Sequence, residues 1–265
     1  MPVADLHHVS LHYEISGPES APAVVFSHSL GTDLHMWDRI VPHLERDFRV
    51  LRYDTRGHGG SSTPDSPWSL RLLAEDLLCL LDALCLDGVR FCGLSLGGQV
   101  GLWLGVHSPD RIHKMVLANT AAKIGSRESW DARMATVQSQ GMAQIAVTAP
   151  DRWFTGPYIA GHPDEMHRVR ELVLRTPQPG YLACCAVLRD TDQRGDLAHI
   201  QTPCLIIAGT HDAATPPADG RALHSGLPHA AYAELDASHL SAWERPDEFA
   251  GLVRNFLLEK EGANG

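Results

Sequence analysis

The sequence predicts an α/β fold with a mostly parallel central sheet flanked by helices. Short apolar strands alternate with amphipathic helices over residues 9–118, and the same rhythm resumes from residue 204. Alternation of this kind is typical of sheets whose parallel strands are joined by crossover helices. Between residues 121 and 196 only helical patterns occur, which indicates a helical insertion in the sheet-forming chain.

The first 118 residues carry the clearest strand and helix patterns. Val9, Leu11, Tyr13 and Ile15 alternate with polar residues, which predicts a strand with one buried face. Further strands are predicted at Ala23–Phe26, Arg49–Tyr53, Val89–Cys92 and Lys114–Ala118. Helices are predicted at Met36–Leu44, from Ser69 to Leu84, and at Leu96–Val106. Ser69 is a suitable N-cap, and the leucines of its helix recur every three or four residues, as one apolar face requires.

The insertion and the last third of the chain complete the prediction. Helical stretches are predicted near Glu128–Gln140, Met142–Val147, Glu165–Leu174 and Tyr181–Arg189. Gly141, Pro150, Gly156-Pro157 and residues 177–180 separate these stretches. Strands at Cys204–Ala208 and Ala230–Leu235 and a helix at Pro246–Glu259 follow. We therefore predict a core of residues 1–120 and 197–265 and a helical unit of residues 121–196.

Composition and charge exclude several classes of function. Hydrophobic residues make up 44% of the 265 residues and charged residues 20%, which predicts a folded chain that buries a large core. The formal net charge is −10, which opposes attraction to nucleic acid or to anionic lipid. We therefore expect no nucleic-acid partner and no membrane partner.

The sequence also predicts the compartment. Residues 1–10 lack the basic flank and apolar stretch of a secretory signal, and no apolar run has the roughly 18 residues that a membrane span needs. The six cysteines form no C-x-x-C, so free and largely buried thiols in a reducing compartment are expected. The histidines show no zinc-ligand spacing. We expect a cytoplasmic protein without a zinc site.

A nucleophile motif follows the strand at Val89–Cys92. Its sequence, Gly93-Leu94-Ser95-Leu96-Gly97, matches G-x-S-x-G between a predicted strand and a predicted helix. Glycines two residues on either side of the serine permit a tight, strained turn that exposes the hydroxyl at the carboxyl edge of the sheet. Ser95 is therefore the candidate nucleophile.

A serine nucleophile needs a base and an acid, and each should follow a later strand. Asp212 directly follows the strand at Cys204–Ala208, and His239 follows the last strand. Asp236 is a rival acid, but its loop is too short to let it face His239, so Asp212 is favoured.

Two other histidines are less suitable as the base. His229 precedes its strand and is expected at the opposite edge of the sheet, whereas His211 adjoins Asp212 and would compete for the same corner. His239 therefore remains the candidate base.

The negative charge that develops on the substrate's carbonyl oxygen in the transition state is stabilised by N–H donors. The residue after the nucleophile, Leu96, offers one backbone N–H at a helix start. The second is expected from the turn after the second core strand, Ser27-His28-Ser29-Leu30-Gly31, where Leu30 is the candidate. His28 is expected to shape this turn rather than to act in catalysis.

These motifs resemble those of the α/β-hydrolase fold over nearly the whole chain, and several resemble 3-oxoadipate enol-lactonases more closely. The segments that carry the closer resemblance are residues 27–33, 52–59, 118–125, 184–190 and 208–212. The two most restricted segments read Asn119-Thr120-Ala121-Ala122-Lys123-Ile124-Gly125 and Cys184-Cys185-Ala186-Val187-Leu188-Arg189-Asp190. The resemblance implies a helical cap, inserted after the sixth strand, over the active site.

The resemblance also implies an activity, namely hydrolysis of an enol-lactone that bears a free carboxylate, without a metal or organic cofactor. A small anionic lactone needs a cation under the cap. Lys123, Arg127, Arg133 and Arg189 are candidates. Arg133 lies three residues after Trp130 on a predicted helix, so both can share one face, and this pair is predicted to contact the substrate.

Other functions stay open at this point. The same scaffold supports general carboxylesterases and carbon–carbon hydrolases, and a fold can persist in a ligand-binding protein that has lost turnover. A serine at position 95 argues against relatives whose nucleophile is a carboxylate. The sequence leaves open whether the chain forms a homo-oligomer.

Overall fold

The computed structural model describes residues 2–65 and 67–259. Within them the chain forms one eight-stranded sheet in the order β1-β2-β4-β3-β5-β6-β7-β8. The strands are β1 (Val3–Asp5), β2 (Ser10–Ser16), β3 (Ala23–Ser27), β4 (Arg49–Tyr53), β5 (Val89–Leu94), β6 (Ile112–Ala118), β7 (Cys204–Gly209) and β8 (Ala230–Leu235). Strand β2 runs antiparallel to β1 and β4. The other six strands, which lie in the order β4-β3-β5-β6-β7-β8, all pair in parallel. The predicted fold class is therefore confirmed.

Helices connect the parallel strands and form the segment between β6 and β7. The helices are α1 (Val41–Leu44), α2 (Leu70–Ala83), α3 (Leu96–His107), α4 (Arg127–Trp153), α5 (Gly156–Gly161), α6 (Pro163–Arg175), α7 (Gln178–Asp190), α8 (Pro217–Gly226), α9 (Ser241–Glu244) and α10 (Pro246–Leu258). Ser69 caps α2 by accepting a hydrogen bond from the Leu72 N–H at 3.2 Å. The apolar face of α2 is buried, and α2 packs against α3, which lies on β5 and β6.

Several elements differ from the prediction, among them the short helices α5 and α9, which were not predicted; α5 begins at Gly156-Pro157, where only a break was expected. The helix expected at Met36–Leu44 is split into a 3-10 turn at Leu34–Trp37 and the single turn α1, because Pro42 has no N–H to continue a helix. Strand β1 was not predicted, since three residues are too few to show alternation. Helix α8 was not predicted either, because only Gly220 and Leu223 of its residues are buried, which leaves almost no apolar face in the sequence.

The segment between β6 and β7 is helical, as predicted, and follows the sixth strand. Helix α4 packs against both α6 and α7. It bends at Gly141, where φ is 71° and ψ is −174°, and this is the break that the sequence predicted. A second break was predicted at Pro150, but α4 continues through this residue to Trp153. Proline removes only one backbone hydrogen bond, and the helix tolerates this loss near its end. The division into a core and a separate helical domain at residues 121–196 stays a prediction.

Candidate active site

Ser95 lies at the turn between β5 and α3, at the carboxyl edge of the sheet. Its φ of 56° and ψ of −110° are strained for a residue with a side chain. Flanking glycines make this turn possible: a Cβ on Gly93 would lie 2.3 Å from the Gly97 carbonyl oxygen, and one on Gly97 would lie 2.1 Å from the Ser27 carbonyl oxygen. The Ser95 N–H donates to the Ala118 carbonyl at 3.0 Å, which fixes the turn against β6.

Asp212 and His239 meet at the same edge of the sheet. Asp212 follows β7 and His239 follows β8, and His239 Nδ1 lies 2.8 Å from Asp212 Oδ2. Asp212 can only accept this bond when ionised, so the proton of the neutral imidazole is on Nδ1 and Nε2 is free to act as a base. Both side chains are at most 5% exposed, which shields the pair from competing water.

Three further residues donate four hydrogen bonds to the Asp212 carboxylate. Thr215 donates to Oδ2 from its hydroxyl at 2.7 Å and to Oδ1 from its N–H at 3.0 Å. The Ala214 N–H donates to Oδ1 at 2.8 Å, and Asn119 Nδ2 donates to Oδ2 at 3.0 Å. Burial raises the pKa of Asp212, but the charge of His239 and the hydrogen bonds from His239, Thr215 and Asn119 outweigh it and hold that pKa below its usual range.

Asn119 and Thr215 were not assigned a role from the sequence. Asn119 ends β6 with a φ of 43°, a conformation that asparagine tolerates better than most residues. Its Nδ2 also donates to the Ser238 carbonyl at 3.2 Å, and its Oδ1 accepts from Ser241 Oγ at 2.5 Å. Its place directly after a central strand was the available signal, because parallel strands bring their carboxyl ends to one edge.

The rival residues lie elsewhere. Asp236 is exposed and pairs with His211 at 2.9 Å and with Arg245 at 3.3 Å, so it does not face His239. His229 precedes β8, and its carbonyl accepts from the Cys204 N–H at the start of β7, at the amino edge of the sheet.

Ser95 and His239 line one cavity of about 330 Å³. Within the described residues no hydrogen bond joins Ser95 Oγ to His239. Such catalytic hydrogen bonds are commonly long in unliganded enzymes and tighten when substrate binds. The cavity is therefore lined by the candidate nucleophile and the candidate base, although the two are not hydrogen-bonded.

The two backbone N–H groups predicted to bind the carbonyl oxygen belong to Leu96, the residue after Ser95, and to Leu30, which lines the cavity with Ser95. Leu96 N is the first of α3, and Leu30 lies in the loop of residues 28–32, which we call the β3 loop. In the part of the chain that the structure describes, neither N–H donates a hydrogen bond to a protein group. These two groups are therefore free to bind a negatively charged oxygen next to Ser95.

Three of the four candidate cations are paired with carboxylates at the surface. The pairs are Lys123–Asp192 at 3.3 Å, Arg127–Asp190 at 2.6 Å, Arg189–Asp131 at 3.0 Å and Arg189–Asp190 at 2.7 Å. None of these three cations lines the cavity.

Arg133 lies in the cavity lining, as does Trp130. Arg133 Nε donates to the Tyr181 hydroxyl at 2.7 Å, and its guanidinium lies 5.8 Å from the centre of the Trp130 ring. The Trp130 indole N–H donates to the Ile124 carbonyl at 2.7 Å, which fixes the ring against the start of α4. Among residues 2–65 and 67–259, no carboxylate lies within 4.0 Å of the Arg133 guanidinium.

A second arginine, Arg152, lines the cavity and was not considered from the sequence. It lies near the end of α4, beside Trp153, whose carbonyl accepts from the Leu240 N–H at 3.0 Å. Burial and the charge of Arg133 lower the pKa of Arg152. Arg152, too, lacks a carboxylate partner within the described range. The cavity is therefore lined by two arginines that form no salt bridge within residues 2–65 and 67–259.

Comparison with known proteins decides the family. A model of the alpha/beta hydrolase fold matches residues 22–151. The chain is 41% identical over 241 residues to 3-oxoadipate enol-lactonase 2 of Acinetobacter baylyi. The aligned residues cover 91% of this chain and 90% of the relative. The chain belongs to the α/β-hydrolase family.

Further comparisons agree with this assignment. Identity with 3-oxoadipate enol-lactonase 1 of A. baylyi is 39%, covering 94% of this chain and 93% of the relative. The crystal structure of the enol-lactonase from Burkholderia xenovorans LB400 superimposes with a TM-score of 0.95 at 43% identity, covering 97% of this chain and 100% of that one. The resemblance to enol-lactonases is thus confirmed, and this α/β hydrolase is an enzyme of the hydrolase class.

Every helix within residues 2–65 and 67–259 is either too short or too polar to span a bilayer. No group of three or more His, Cys, Asp or Glu side chains in residues 2–65 and 67–259 is arranged to hold a metal ion.

Proposed function

We propose that this α/β hydrolase opens the lactone ring of 3-oxoadipate enol-lactone to give 3-oxoadipate, with Ser95 as nucleophile, His239 as base and Asp212 as acid. One observation carries the proposal: a single cavity is lined by Ser95 and His239 and by two arginines that have no carboxylate partner in the part of the chain that the structure describes. This arrangement suits an ester that bears a negative charge.

The first step forms the acyl-enzyme. Ser95 Oγ bonds to the lactone carbonyl carbon while its proton passes to His239 Nε2, and Asp212 stabilises the resulting imidazolium through the 2.8 Å contact with Nδ1. The N–H groups of Leu30 and Leu96 bind the carbonyl oxygen as it becomes negative, and each donor is typically worth about 3 kcal/mol. Collapse of this intermediate breaks the ring C–O bond.

The second step releases the product. At the end of the first step, the enolate oxygen has left the carbonyl carbon, stays tethered to the acyl group and accepts the proton from His239. Because an enolate is a good leaving group, this proton transfer contributes less than it does in amide cleavage. His239 then takes a proton from water, the hydroxide attacks the acyl carbon, and Ser95 leaves with the proton returned by His239. The enol product converts to the keto form.

The substrate carboxylate is placed against Arg133, with Trp130 as an apolar wall. A guanidinium fork matches a carboxylate in geometry and charge, and the interaction is stronger where water is partly excluded. Tyr181 supports this role, because it is buried and accepts from Arg133 Nε, which directs the remaining N–H groups of Arg133 elsewhere. Arg152 adds a second positive charge to the same cavity.

The compartment is proposed to be the cytoplasm. All six cysteines lie in the described part of the chain and all are free, four of them buried. Unpaired thiols are typical of reducing compartments.

The test compares two substrates. The rate of loss of the enol-lactone's ultraviolet absorbance is measured beside hydrolysis of p-nitrophenyl acetate, a neutral ester. We expect kcat/KM for the enol-lactone to be larger by orders of magnitude. A preference for p-nitrophenyl acetate of similar size would refute the proposal and identify a general carboxylesterase.

A further inference from the structure

Two buried histidines, His28 in the β3 loop and His58 in the segment after β4, connect these two segments. His28 and His58 are both 0% exposed, and their ring centres are 5.3 Å apart. Neither ring belongs to the proposed triad. Each ring is hydrogen-bonded both to the β3 loop and to the backbone that follows β4, so the two rings join these segments; His28 Nδ1 also lies 3.3 Å from the Thr32 hydroxyl.

His28 holds the peptide group that presents the Leu30 N–H. The Thr55 N–H donates to His28 Nε2 at 2.9 Å, so Nε2 carries no proton and Nδ1 must carry it. His28 Nδ1 then donates to the Ser29 carbonyl oxygen at 2.8 Å, and the same oxygen accepts from the Thr32 hydroxyl at 2.8 Å and from the Thr32 N–H at 3.2 Å. That carbonyl and the Leu30 N–H belong to one planar trans peptide, so they point to opposite sides. With the carbonyl held by His28, the Leu30 N–H is directed away from the ring.

His58 holds the next peptide group. The Gly31 N–H donates to His58 Nε2 at 3.1 Å, so the proton of this ring is on Nδ1, which lies 3.3 Å from the Arg56 carbonyl. Burial, with a contribution from His28, lowers the pKa of His58 to about 3. The ring is therefore neutral at working pH, and its unprotonated nitrogen is available to the Gly31 N–H.

We infer that His28 and His58 are positioning residues that hold the Leu30 N–H in the orientation needed to bind the oxyanion. The inference rests on the proposed serine mechanism, but not on the identity of the substrate. Without the His28 contact, only the Thr32 hydroxyl and N–H hold the Ser29 carbonyl, and both belong to the same loop. The Ser29–Leu30 peptide is then freer to rotate and to turn its carbonyl oxygen toward the negative charge. The loss then falls on the transition state, in which the oxygen is charged, and not on ground-state binding.

The test uses two substitutions at one position. His28→Leu removes the donor to the Ser29 carbonyl, whereas His28→Asn places an amide N–H near the position of Nδ1. For p-nitrophenyl acetate we expect His28→Leu to lower kcat by about 30- to 300-fold, with KM changed by less than about 3-fold. This loss is smaller than the roughly 10²- to 10³-fold loss that follows complete removal of one oxyanion donor, because the Leu30 N–H is still present. His28→Asn should recover kcat to within about 10-fold of the wild type.

An alkylboronic acid gives the second readout, because it forms a tetrahedral adduct with the serine and mimics the charged intermediate. Its inhibition constant should rise in His28→Leu by about the same factor as kcat falls. The control is His12→Leu, which removes another buried imidazole that bonds to Asp54 and not to the β3 loop. That variant should lose stability while keeping kcat and boronic acid affinity within about 3-fold.

Unchanged kcat and boronic acid affinity in His28→Leu would overturn the inference, as would equal losses in His12→Leu. If His28→Leu does not fold, His58→Gln and His58→Met make the same comparison, since only glutamine keeps an acceptor for the Gly31 N–H. Equal kcat in those two variants would also overturn it. A wild type that hydrolyses the ester and binds the boronic acid, but does not open the enol-lactone, refutes the proposed substrate alone.

Discussion

Asn119 connects three loops of the site through one side chain. It donates to Asp212 at 3.0 Å and to the Ser238 carbonyl at 3.2 Å, and it accepts from Ser241. The loop after β7 and the loop that carries His239 are thereby tied to the end of β6. The sequence marked Asn119 only as part of a segment similar to enol-lactonases. Its position after a central strand placed it at the edge of the sheet that carries the site, but its partners could not be predicted, because all three are more than 90 residues away in the chain.

Two substitutions at this position test the role. Asn119→Ala removes a donor from Asp212, and we expect kcat for p-nitrophenyl acetate to fall by about 10-fold. Asn119→Asp places a second carboxylate beside Asp212, where repulsion raises the pKa of both groups and disturbs the His239 contact, so a loss of about 100-fold is expected. Wild-type kcat in both variants would contradict the role.

Arg133 is expected to determine the preference for an anionic substrate. Arg133→Ala should raise KM for the enol-lactone by about 30- to 100-fold, corresponding to about 2–3 kcal/mol for a charged hydrogen bond, and should barely change KM for a neutral ester. The measurement is steady-state kinetics on both substrates.

Arg127→Ala serves as the control for this prediction. Arg127 lies on the same helix but pairs with Asp190 outside the cavity, so its removal should change neither KM by more than about 2-fold. Equal losses on the anionic and the neutral substrate in Arg133→Ala would count against a carboxylate contact.

At the scale of elements, local sequence pattern predicted most of the structure that positions the site. The nucleophile turn was predictable because G-x-S-x-G between a strand and a helix has a steric cause that acts over five residues. Helix α2 was predictable from its leucine spacing. Helix α8 was not, because its exposed surface leaves no such pattern.

The bend in α4 brings Arg133 and Arg152 to one cavity from the two halves of the helix. Its cause is the backbone of Gly141, whose φ of 71° and ψ of −174° are accessible essentially only to glycine. A steric clash of the side chain is not what requires glycine here, since a Cβ on residue 141 would meet only Gln178 Oε1 at 3.7 Å.

Gly141→Ala should therefore lower the free energy of unfolding by about 1–3 kcal/mol. Urea denaturation measures this change. Gly161→Ala is the matched control in the same helical segment, because it has negative φ and no neighbour within 4 Å of an added Cβ; a change within about 0.5 kcal/mol is expected. The explanation of the bend fails if the two variants have equal stability.

At the scale of the whole molecule, the parallel sheet converts distant sequence positions into one site. Ser95, Asp212 and His239 each follow a different strand, and the carboxyl ends of parallel strands share one edge. That rule was sufficient to propose the triad from the sequence. It does not specify which cap cation faces the cavity, because ion pairs such as Arg189–Asp131 depend on how separate helices pack.

The stability of the molecule should depend on the protonation of His58. Its pKa is about 3 in the folded state, where His28 and Asp54 are its titratable neighbours, against about 6.5 for an ordinary histidine. Between pH 3 and pH 6.5 the His58 side chain binds a proton in the unfolded chain but not in the folded one. The stability that depends on a neutral His58 is therefore fully present above pH 6.5 and is lost as pH falls toward 3. Acid should therefore destabilise the fold.

Urea denaturation between pH 7 and pH 4 tests this dependence. The free energy of unfolding of His58→Gln should fall less steeply with acid than that of the wild type, by up to about 1.4 kcal/mol per pH unit well below pH 6.5. His199→Gln, at an exposed position, should keep the wild-type slope. Parallel curves for His58→Gln and the wild type would show that His58 does not titrate with unfolding.

The central claim is that His239 and Asp212 activate Ser95, and the most direct test is the site and rate of labelling by a fluorophosphonate probe, read by mass spectrometry. We predict that the wild type is labelled at Ser95, that Ser95→Ala is not labelled, and that His239→Ala reacts slower by about 10³-fold or more. Labelling at another residue, or an unchanged rate in His239→Ala, would contradict the account.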